Sequence, residues 1–493
     1  MDKFERIFGE LNSILMYLSL IVLVLITTYI TIFQGYYFGI AFSLAPIFIV
    51  LVVKFIDKPI WTFIILFISN YYISGISRYI PAVSPGIFMD GILILTVIVM
   101  IMQLIRKESE IKFKNAFNML SFVAFIWFFY CCIQLLNPNL SSPVAWITNV
   151  RGIGVYFLLV TMITSTMLTK YSDLKKVMIA WAILSLTAVL KAVIQKYLGF
   201  DFAEARWLNE GGRTTHIISS GVRYFSFFTD AANFGTGISF SMVVFTITGL
   251  YLNNKKLKIF FLATAVACGY GMFISGTRGS LAVPLVGFAL ITFISRNFKI
   301  IIVTSLVLLS AFIFLRYTYY LQGNSYVRRM RSAFNTEDAS FIVRKENQKK
   351  LAVYLQDKPI GGGIGMGRSK ATTYKPDPVL SSIPTDSWYV LIWMETGIVG
   401  LVMYVSILIF ILISGIYIVM VKLTDHELKG MIGALVSGLA GVYVASYSLE
   451  IMGQFPNSFL IFISMALIFM SPRFEREIME KKKAQSLIDE TNS

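Results

Sequence analysis

Apolar runs of about 20 residues recur along almost the whole chain, and this is the length that an α-helix needs to cross the hydrocarbon core of a bilayer. Charges are sparse between and within these runs. Only 14% of the 493 residues are charged, compared with about 25% in a typical soluble domain. The mean hydropathy is +0.72. One water-soluble core cannot bury so much apolar surface, so we predict an all-α, polytopic integral membrane protein.

The spacing of the apolar runs predicts about 14 transmembrane helices. The first follows a short polar N-terminus, and we expect it to be retained as a span because it is too long for the apolar core of a signal peptide. The predicted spans are 13–33, 37–53, 60–78, 86–105, 119–136, 147–168, 178–197, 232–252, 258–275, 280–295, 299–318, 396–421, 430–449 and 458–471.

Positive charge is concentrated in alternate connections between these spans. Because Lys and Arg accumulate on the cytoplasmic side of membrane proteins, we predict a multi-pass protein of the cytoplasmic (inner or plasma) membrane with both termini in the cytoplasm. The net charge of +16 is therefore assigned to these loops and not to nucleic-acid binding. The basic connections are 54–58, 106–114, 169–176, 253–258, 296–299 and 422–429, with a further run at 481–483.

Two connections on the predicted outer side are long. We expect a single membrane domain over 1–493, interrupted by a first extracytoplasmic loop at 198–231 and a large extracytoplasmic loop with amphipathic helices at 319–395. A cytoplasmic tail is expected over 472–493. Long connections in compact proteins are often functional, so these two loops are the first places to search for a site.

Six cations violate the positive-inside pattern, because they lie near the predicted outer ends of spans or in the first outer loop. A charge at membrane depth is costly and usually faces a cavity or a partner. The guanidinium fork matches phosphate oxygens, so the group predicts an anion pocket; the alternative is that each side chain reaches lipid headgroups or a nearby acid. The six are Arg78, Arg151, Lys191, Arg223, Arg278 and Arg316.

An anion bound on the outer face is more simply a lipid phosphate or pyrophosphate than ATP. Three cysteines lie in apolar runs, and there are two histidines, so neither a disulfide framework nor a metal-ligand spacing is indicated. The sequence therefore predicts no metal centre.

The stretch "FISGTRGSLAVPLVG" (273–287) ends one predicted span and starts the next. Gly276 and Gly279 allow a tight turn that presents Arg278, and the N-terminal amides of the following helix add positive potential. In "GVRYFSFFTDAANFGTGISF" (221–240), Asp230 and Asn233 stand where a span begins. They are candidate substrate contacts, and helix capping is the alternative interpretation.

The stretch "RKENQKKLAVYLQDKPIGGGIGMG" (344–367) predicts a basic amphipathic helix followed by a glycine-rich turn. Gly363, Gly365 and Gly367 imitate part of a dinucleotide-binding fingerprint. No predicted strand precedes them and the loop faces outward, so nucleotide binding is rejected. Close approach of this backbone to a ligand or to another loop explains the glycines better.

Taken together, four stretches resemble the O-antigen polymerase and ligase superfamily of bacterial membrane proteins. The resemblance spans roughly 150–420 and rests on the order and spacing of the motifs. They are "VRYFSFFTDAANF" (222–234), "ISGTRGSLAVPLVG" (274–287), "AVYLQDKPIGGGIGMG" (352–367) and "TDSWYVLIWMETGIVGLV" (385–402).

The resemblance implies a multi-span glycosyltransferase of the GT-C type. It implies an undecaprenyl-pyrophosphate-linked glycan as substrate on the outer leaflet, and no metal, nucleotide sugar or other cofactor. Polymerases of this superfamily join repeat units, whereas ligases transfer the finished chain to a lipid A core. The partners implied are the lipid-linked glycan and the bilayer; a chain-length regulator is a further candidate.

Residue roles follow from the matched motifs. Asp386 is the candidate general base for an acceptor hydroxyl, and arginines would hold the pyrophosphate and stabilise its charge on leaving. The alternatives are that Asp386 caps the next helix, that Trp388 anchors it at the interface, and that Glu395 pairs with an intramembrane arginine. The catalytic candidates are Asp386, Arg278 and Glu395; the substrate-binding candidates are Arg151, Arg223, Arg316, Arg344, Asp230, Asn233, Trp388 and Tyr389.

One departure separates the two activities of the superfamily. Ligases carry His-Asn where this chain has Asp386-Ser387, which favours a polymerase of capsule, O-antigen or exopolysaccharide. A ligase remains an alternative, as does a flippase for the lipid-linked oligosaccharide. A flippase needs a polar path through the bilayer midplane, whereas here the ionisable residues collect at the outer ends of the spans.

Overall fold

The structure is a computed structural model. It describes residues 2–34, 43, 54–106, 111–218, 221–295, 298–334, 339–367 and 378–491. Within these ranges it is almost entirely helical, with one two-stranded antiparallel hairpin. The predicted all-α, polytopic class is confirmed, since ten of the described helices are long and apolar enough to cross a membrane.

The helices are numbered here in chain order. The hairpin pairs β1 (Ile217–Ile218) with β2 (Gly221–Val222). The helices are α1 (Asp2–Gln34), α2 (Ile60–Tyr79), α3 (Pro85–Ile105), α4 (Met119–Ile133), α5 (Pro143–Val150), α6 (Tyr156–Met167), α7 (Tyr171–Tyr197), α8 (Phe202–Trp207), α9 (Arg213–His216), α10 (Ala231–Tyr251), α11 (Lys255–Ile274), α12 (Ala282–Ile294), α13 (Phe298–Tyr317), α14 (Ser325–Arg331), α15 (Ala339–Tyr354), α16 (Pro378–Ser382), α17 (Trp388–Tyr417), α18 (His426–Ala445) and α19 (Asn457–Thr491).

Thirteen of the predicted spans correspond to described helices, and the predicted span 37–53 lies outside the described residues. The largest differences concern the last spans. Helix α17 begins at Trp388, eight residues before the predicted span at 396, because the Ser387 hydroxyl accepts a hydrogen bond from the Val390 N–H and caps it. Helix α19 continues through Pro472 into the predicted tail.

Helices α10, α18 and α19 form the centre of the bundle, and at least four-fifths of the most apolar window of each is buried inside the protein. Small residues allow close packing between these helices. A Cβ on Gly438 of α18 would collide with the Phe240 ring of α10, and one on Gly441 would collide with the Val283 carbonyl of α12. The outer helices instead expose large apolar side chains, as a lipid-facing surface requires.

The predicted cytoplasmic connections meet at one end of the bundle. Lys175 forms an ion pair with Glu427 at 2.9 Å, and Glu427 also accepts the Asn253 N–H at 3.0 Å. Glu475 accepts the N–H groups of Thr424 and Asp425. Segments predicted to share one face are therefore joined by direct contacts at that face.

The first long loop is a folded unit at the other end of the bundle. Lys191 of α7 forms ion pairs with Asp201 at 2.8 Å and with Glu204 at 3.0 Å. Burial alone would raise the pKa of the Asp201 carboxyl, but Lys191 and the Tyr79 hydroxyl more than offset this effect and lower the pKa to about 2. The loop is therefore fixed to the ends of α2 and α7.

Candidate functional site

Three arginines from three different elements converge on the turn after α11. A Cβ at Gly276 would lie 3.4 Å from Arg223 Cγ and 3.4 Å from Arg329 Cδ. Gly276 has φ +61°, a left-handed conformation that favours glycine. Arg278 follows in the same turn and donates from Nη1 to Ser332 Oγ at 3.0 Å, directly after α14. We call Arg223, Arg278 and Arg329 the arginine cluster.

Arg223 is largely buried beside another cation. Its Nη1 donates to the Thr215 carbonyl at 3.0 Å and its Nη2 donates to Thr277 Oγ1 at 3.0 Å, while its buried Nε has no hydrogen-bond partner among the described residues. Burial lowers the pKa of the Arg223 guanidinium; Asp230 opposes this effect, and Arg278 adds to it. Arg223 therefore keeps one buried N–H group that can donate a further hydrogen bond.

An apolar cavity of about 380 Å³ lies next to the arginine cluster. Its lining comes from α10, α11, α12 and α13 and includes Met272 and Leu281. Leu281 belongs to the same short turn as Arg278. Cationic and apolar surfaces are thus adjacent, as the headgroup and the tail of a lipid-like substrate would require.

The segment 446–457, between α18 and α19, joins the separate parts of the site. A Cβ at Gly279 would lie 2.7 Å from Ser448 Oγ, so this segment contacts the turn that carries Arg278. The carbonyl oxygens of Ser446 and Leu449 accept the Trp388 N–H at 3.0 and 3.3 Å. The arginine cluster and the start of α17 therefore lie on two sides of one short segment.

Asp386 stands just before α17 and is accessible. Its side chain is 56% exposed, and its Oδ2 lies 3.5 Å from Nε of Arg344 on α15. The helix is capped by Ser387 instead, so the capping alternative for Asp386 is not what the structure shows. Asp386 does not cap α17, and its carboxylate lies beside Arg344 of the large loop.

The two aromatic residues after Asp386 differ in their surroundings. Trp388 is 1% exposed, and its ring lies 6.3 Å from that of Tyr404, between centroids, in the core. The Tyr389 ring is half-buried, and its hydroxyl donates to the Tyr443 carbonyl at 2.7 Å. In this arrangement Trp388 supports the helix start and does not present a face to a sugar, whereas Tyr389 stays near the surface.

Glu395 is fully buried, immediately before a break in α17. The break is at Gly397, which has φ +70° and ψ −173°. The glycine-rich turn 359–367 fills it: the Gly363 N–H donates to the Glu395 carbonyl at 3.0 Å, and the Val399 N–H donates to the Pro359 carbonyl at 3.2 Å. The glycines thus allow close approach to another part of the backbone, which was the favoured interpretation of their spacing.

Asp230 and Asn233 organise the start of α10. The Asp230 Oδ1 accepts the N–H groups of Ala232 at 2.7 Å and Asn233 at 2.9 Å, which is the capping arrangement. The Asn233 amide donates to the carbonyl of Phe455 at 2.6 Å and is 1% exposed. The structure therefore gives both residues structural contacts; their assignment to substrate stays a prediction.

Arg151 lines a different cavity, of about 590 Å³, together with Arg78 and Arg206. Its Nη1 lies 2.5 Å from Oδ2 of Asp90, whose Oδ1 accepts the Tyr156 hydroxyl at 2.6 Å. Gln454 of the segment 446–457 also lines this cavity. Arg151 is therefore a neighbour of the site, paired with an acid that sequence reasoning missed.

Arg316 is exposed on α13, and none of the contacts among the described residues joins it to the arginine cluster.

Two parts of the site were missed from sequence. Arg329 was hidden among the many cations of the large loop, and the segment 446–457, with its half-buried acid Glu450, carries no motif. The polar residues in "SYSLEIMGQFPN" between two spans were the available signal.

The fold and the site define a polytopic membrane protein with a cluster of arginines at one end of its helices. Residues 263–405 match the model of a family described as O-antigen ligase. Over this segment, the match supports the resemblance of the chain to the O-antigen ligase and polymerase superfamily. The matched segment contains Arg278, Arg329, Arg344, Asp386 and Glu395. No curated protein and no solved structure matches the chain.

Proposed function

We propose that the protein is a polysaccharide polymerase. It joins undecaprenyl-pyrophosphate-linked oligosaccharide repeat units on the outer face of the cytoplasmic membrane and thereby makes a capsule, O-antigen or exopolysaccharide chain. The observation that carries the proposal is the arginine cluster, in which Arg223, Arg278 and Arg329 approach one glycine turn. Two of its members, Arg278 and Arg329, lie within the segment that matches the O-antigen ligase family, which supports a glycan-transferring role.

In this scheme the arginine cluster binds the pyrophosphate of the donor. Guanidinium groups hold phosphate oxygens in a bidentate geometry, and they stabilise the charge that grows on the leaving group as the glycosidic bond breaks. The chemistry requires no metal, because fixed cations neutralise that charge. The adjacent apolar cavity of about 380 Å³ suits the first isoprene units of the carrier.

Asp386 is proposed as the general base. Its carboxylate takes the proton of an acceptor sugar hydroxyl, while the hydroxyl oxygen forms a bond to the anomeric carbon of the donor. The bond between that carbon and the phosphate oxygen breaks, and undecaprenyl pyrophosphate leaves with the electron pair. Direct displacement inverts the anomeric configuration. Two observations support this role: the exposure of Asp386 and the capping of α17 by Ser387 instead.

The polymerase is favoured over the ligase by the pair Asp386-Ser387. Ligases are expected to carry His-Asn at these positions, whereas polymerases of this superfamily vary there. The decisive experiment is a size profile of surface polysaccharide from cells without the gene, with and without its restoration.

Three outcomes of that profile discriminate between the activities. We expect loss of the long-chain ladder and accumulation of single lipid-linked repeat units on the outer leaflet. A full-length polymer that stays on its lipid carrier would indicate a ligase instead. Repeat units trapped on the inner leaflet would indicate a flippase and would overturn the proposal.

We predict that Asp386→Asn abolishes the long-chain ladder when it replaces the native gene. Loss of a general base typically reduces turnover about 10²- to 10⁴-fold. The matched control is Asp57→Asn, which removes an equally exposed carboxylate (58%) that pairs with Arg106 at the other end of the bundle. A full ladder from Asp386→Asn at equal protein level would exclude the base role.

A further inference from the structure

A second polar cavity, of about 1170 Å³, lies at the end of the bundle opposite the arginine cluster. Its lining includes Ile60, the first residue of α2. Arg78, at the other end of α2, lines the cavity of about 590 Å³ described above with Arg151. The segment 111–115 and the loop between α6 and α7 form one side. The last part of α19 forms the other side.

The lining of this cavity is strongly basic. Seven cationic side chains face it against three acidic ones. The face of α19 contributes residues 473, 476, 477, 480 and 481, a spacing that places all five on one side of a helix. The cations are Lys112, Lys114, Lys170, Lys176, Arg473, Arg476 and Lys481.

Two of the three acids, Asp173 and Glu477, already form hydrogen bonds or ion pairs with neighbouring residues. Asp173 accepts the Lys170 N–H at 3.0 Å and closes the capping box of α7. Glu477 accepts the Tyr171 N–H at 2.8 Å and pairs with Lys481 at 2.6 Å. Asp173 also pairs with Lys176 at 3.8 Å. The two acids therefore pair with two of the seven cations, and the cavity keeps more cations than acids.

Arg473 of α19 is partly buried at the lining of this cavity. Its Nη1 is buried and has no hydrogen-bond partner among the described residues. Among the same residues, no ion pair is formed by Arg473, Arg476, Lys112 or Lys114. A buried guanidinium N–H without an acceptor is costly, and a phosphate oxygen is the acceptor that its geometry fits best.

We propose that this cavity binds a phosphate-bearing ligand, independently of the outer-face glycan transfer. The phosphate group would lie between Arg473 and Arg476 of α19 and the lysines of the segment 111–115. The same chemistry is offered by the headgroup of an anionic phospholipid and by a soluble phosphate. The position at the helix ends is where lipid headgroups lie, and basic pockets between transmembrane helices are known to hold them.

The test uses the purified full-length protein in neutral detergent. A ligand that binds the folded state raises the melting temperature by mass action. The protein is titrated with phosphatidylglycerol, with inorganic phosphate, and with phosphatidylcholine as the zwitterionic reference, and the change in melting temperature is measured at constant ionic strength. A saturable rise with phosphatidylglycerol alone assigns the site to a lipid headgroup; a saturable rise with inorganic phosphate assigns it to a soluble phosphate.

Variants locate the effect in the cavity. Arg473→Gln is expected to raise the half-saturating concentration of the ligand about tenfold, which corresponds to a loss of about 1.4 kcal/mol of binding free energy. Lys112→Gln, on a separate element, is expected to raise the half-saturating concentration as well. It provides the test if Arg473→Gln does not fold. The matched control is Lys483→Gln, which removes an exposed charge from the same helix outside the cavity.

Three results would overturn the proposal. They are equal rises with phosphatidylcholine and phosphatidylglycerol, no saturable rise with any probe, and equal weakening by Lys483→Gln and the cavity variants. None of these results bears on glycan transfer, which is measured separately at the outer face.

Discussion

The Arg223 guanidinium is largely buried, and burial disfavours its charged form. It lies close to two further arginines, and the carboxylate of Asp230 compensates it only in part. The pyrophosphate proposed as the ligand of the arginine cluster would give Arg223 a further charged partner.

We predict that Arg278→Gln abolishes polymer formation and that Arg278→Lys retains only a small part. A lysine keeps the charge but loses the planar fork that binds two phosphate oxygens. The measurement is the amount of long-chain polysaccharide in complemented cells, with protein level checked by immunoblot. The control is Arg328→Gln, which removes an exposed arginine of α14 that is not part of the arginine cluster. Equal activity of Arg278→Gln and the control would contradict the pyrophosphate role.

His216 is held neutral in the folded first loop. Its Nδ1 donates to the Gly212 carbonyl at 2.9 Å, so its Nε2 is free to accept the Ala231 N–H at 3.1 Å. Burial lowers the pKa of His216 from 6.5 to about 4; Gly212 and Asp230 oppose this effect, and Arg223 and Arg78 add to it. Protonation of His216 would make Nε2 a hydrogen-bond donor, which would then face the Ala231 N–H, also a donor.

The direction of the pH dependence follows. Between pH 6.5 and about 4 the unfolded chain binds a proton at His216 that the folded protein does not, so stability is complete above pH 6.5 and falls with pH across this range. The slope is at most about 1.4 kcal/mol per pH unit. We predict that His216→Gln, which keeps an acceptor, flattens the melting temperature against pH in this window. An unchanged slope would contradict the assignment.

At the scale of elements, the break in α17 and the glycine-rich turn form one unit. The Gly362 and Gly363 N–H groups satisfy the carbonyls of Met394 and Glu395, which the interrupted helix leaves without partners. The Tyr130 hydroxyl donates to the Thr396 carbonyl at 2.8 Å. These contacts replace helical hydrogen bonds that the break removes, and they join α17 to the glycine-rich turn of the large loop.

We predict that Gly397→Ala destabilises the protein by about 1–3 kcal/mol or more, because only glycine adopts this backbone conformation readily. The new Cβ would also collide with the Pro359 carbonyl oxygen. The measurement is the melting temperature in detergent together with polymer length in cells. The control is Gly91→Ala on α3, where a Cβ meets nothing within 4 Å. A melting temperature equal to that of the control would show that the break is not a constraint.

At the scale of the whole molecule, the charged groups separate to the two ends of the bundle. The arginine cluster and the first long loop lie at one end, and the basic cavity lined by α19 lies at the other. Between the two ends, α10 and the first part of α19 (457–471) are largely buried and uncharged. This separation supports chemistry at one membrane face, not passage of a charged group through the midplane.

We predict opposite accessibility for the two ends. Tyr319→Cys lies in the large loop and Lys112→Cys in the basic cavity, and both side chains are exposed. A membrane-impermeant maleimide should label Tyr319→Cys in right-side-out vesicles and Lys112→Cys only after permeabilisation. The parent protein provides the background, because its three cysteines lie within spans. Labelling in the reverse pattern would invert the predicted orientation.

The class of protein, the approximate helices and the connections in which positive charge accumulates can all be read from local sequence patterns. These properties follow from the local match between an apolar run and the bilayer. The sequence also pointed to the turn that carries Arg278, because glycine spacing is a local signal. Only the tertiary structure decided which charges meet: Arg223 and Arg329 are far apart in the chain, and Arg151 lies with Asp90 in another cavity. Such contacts depend on how helices pack, and a hydropathy pattern does not encode that.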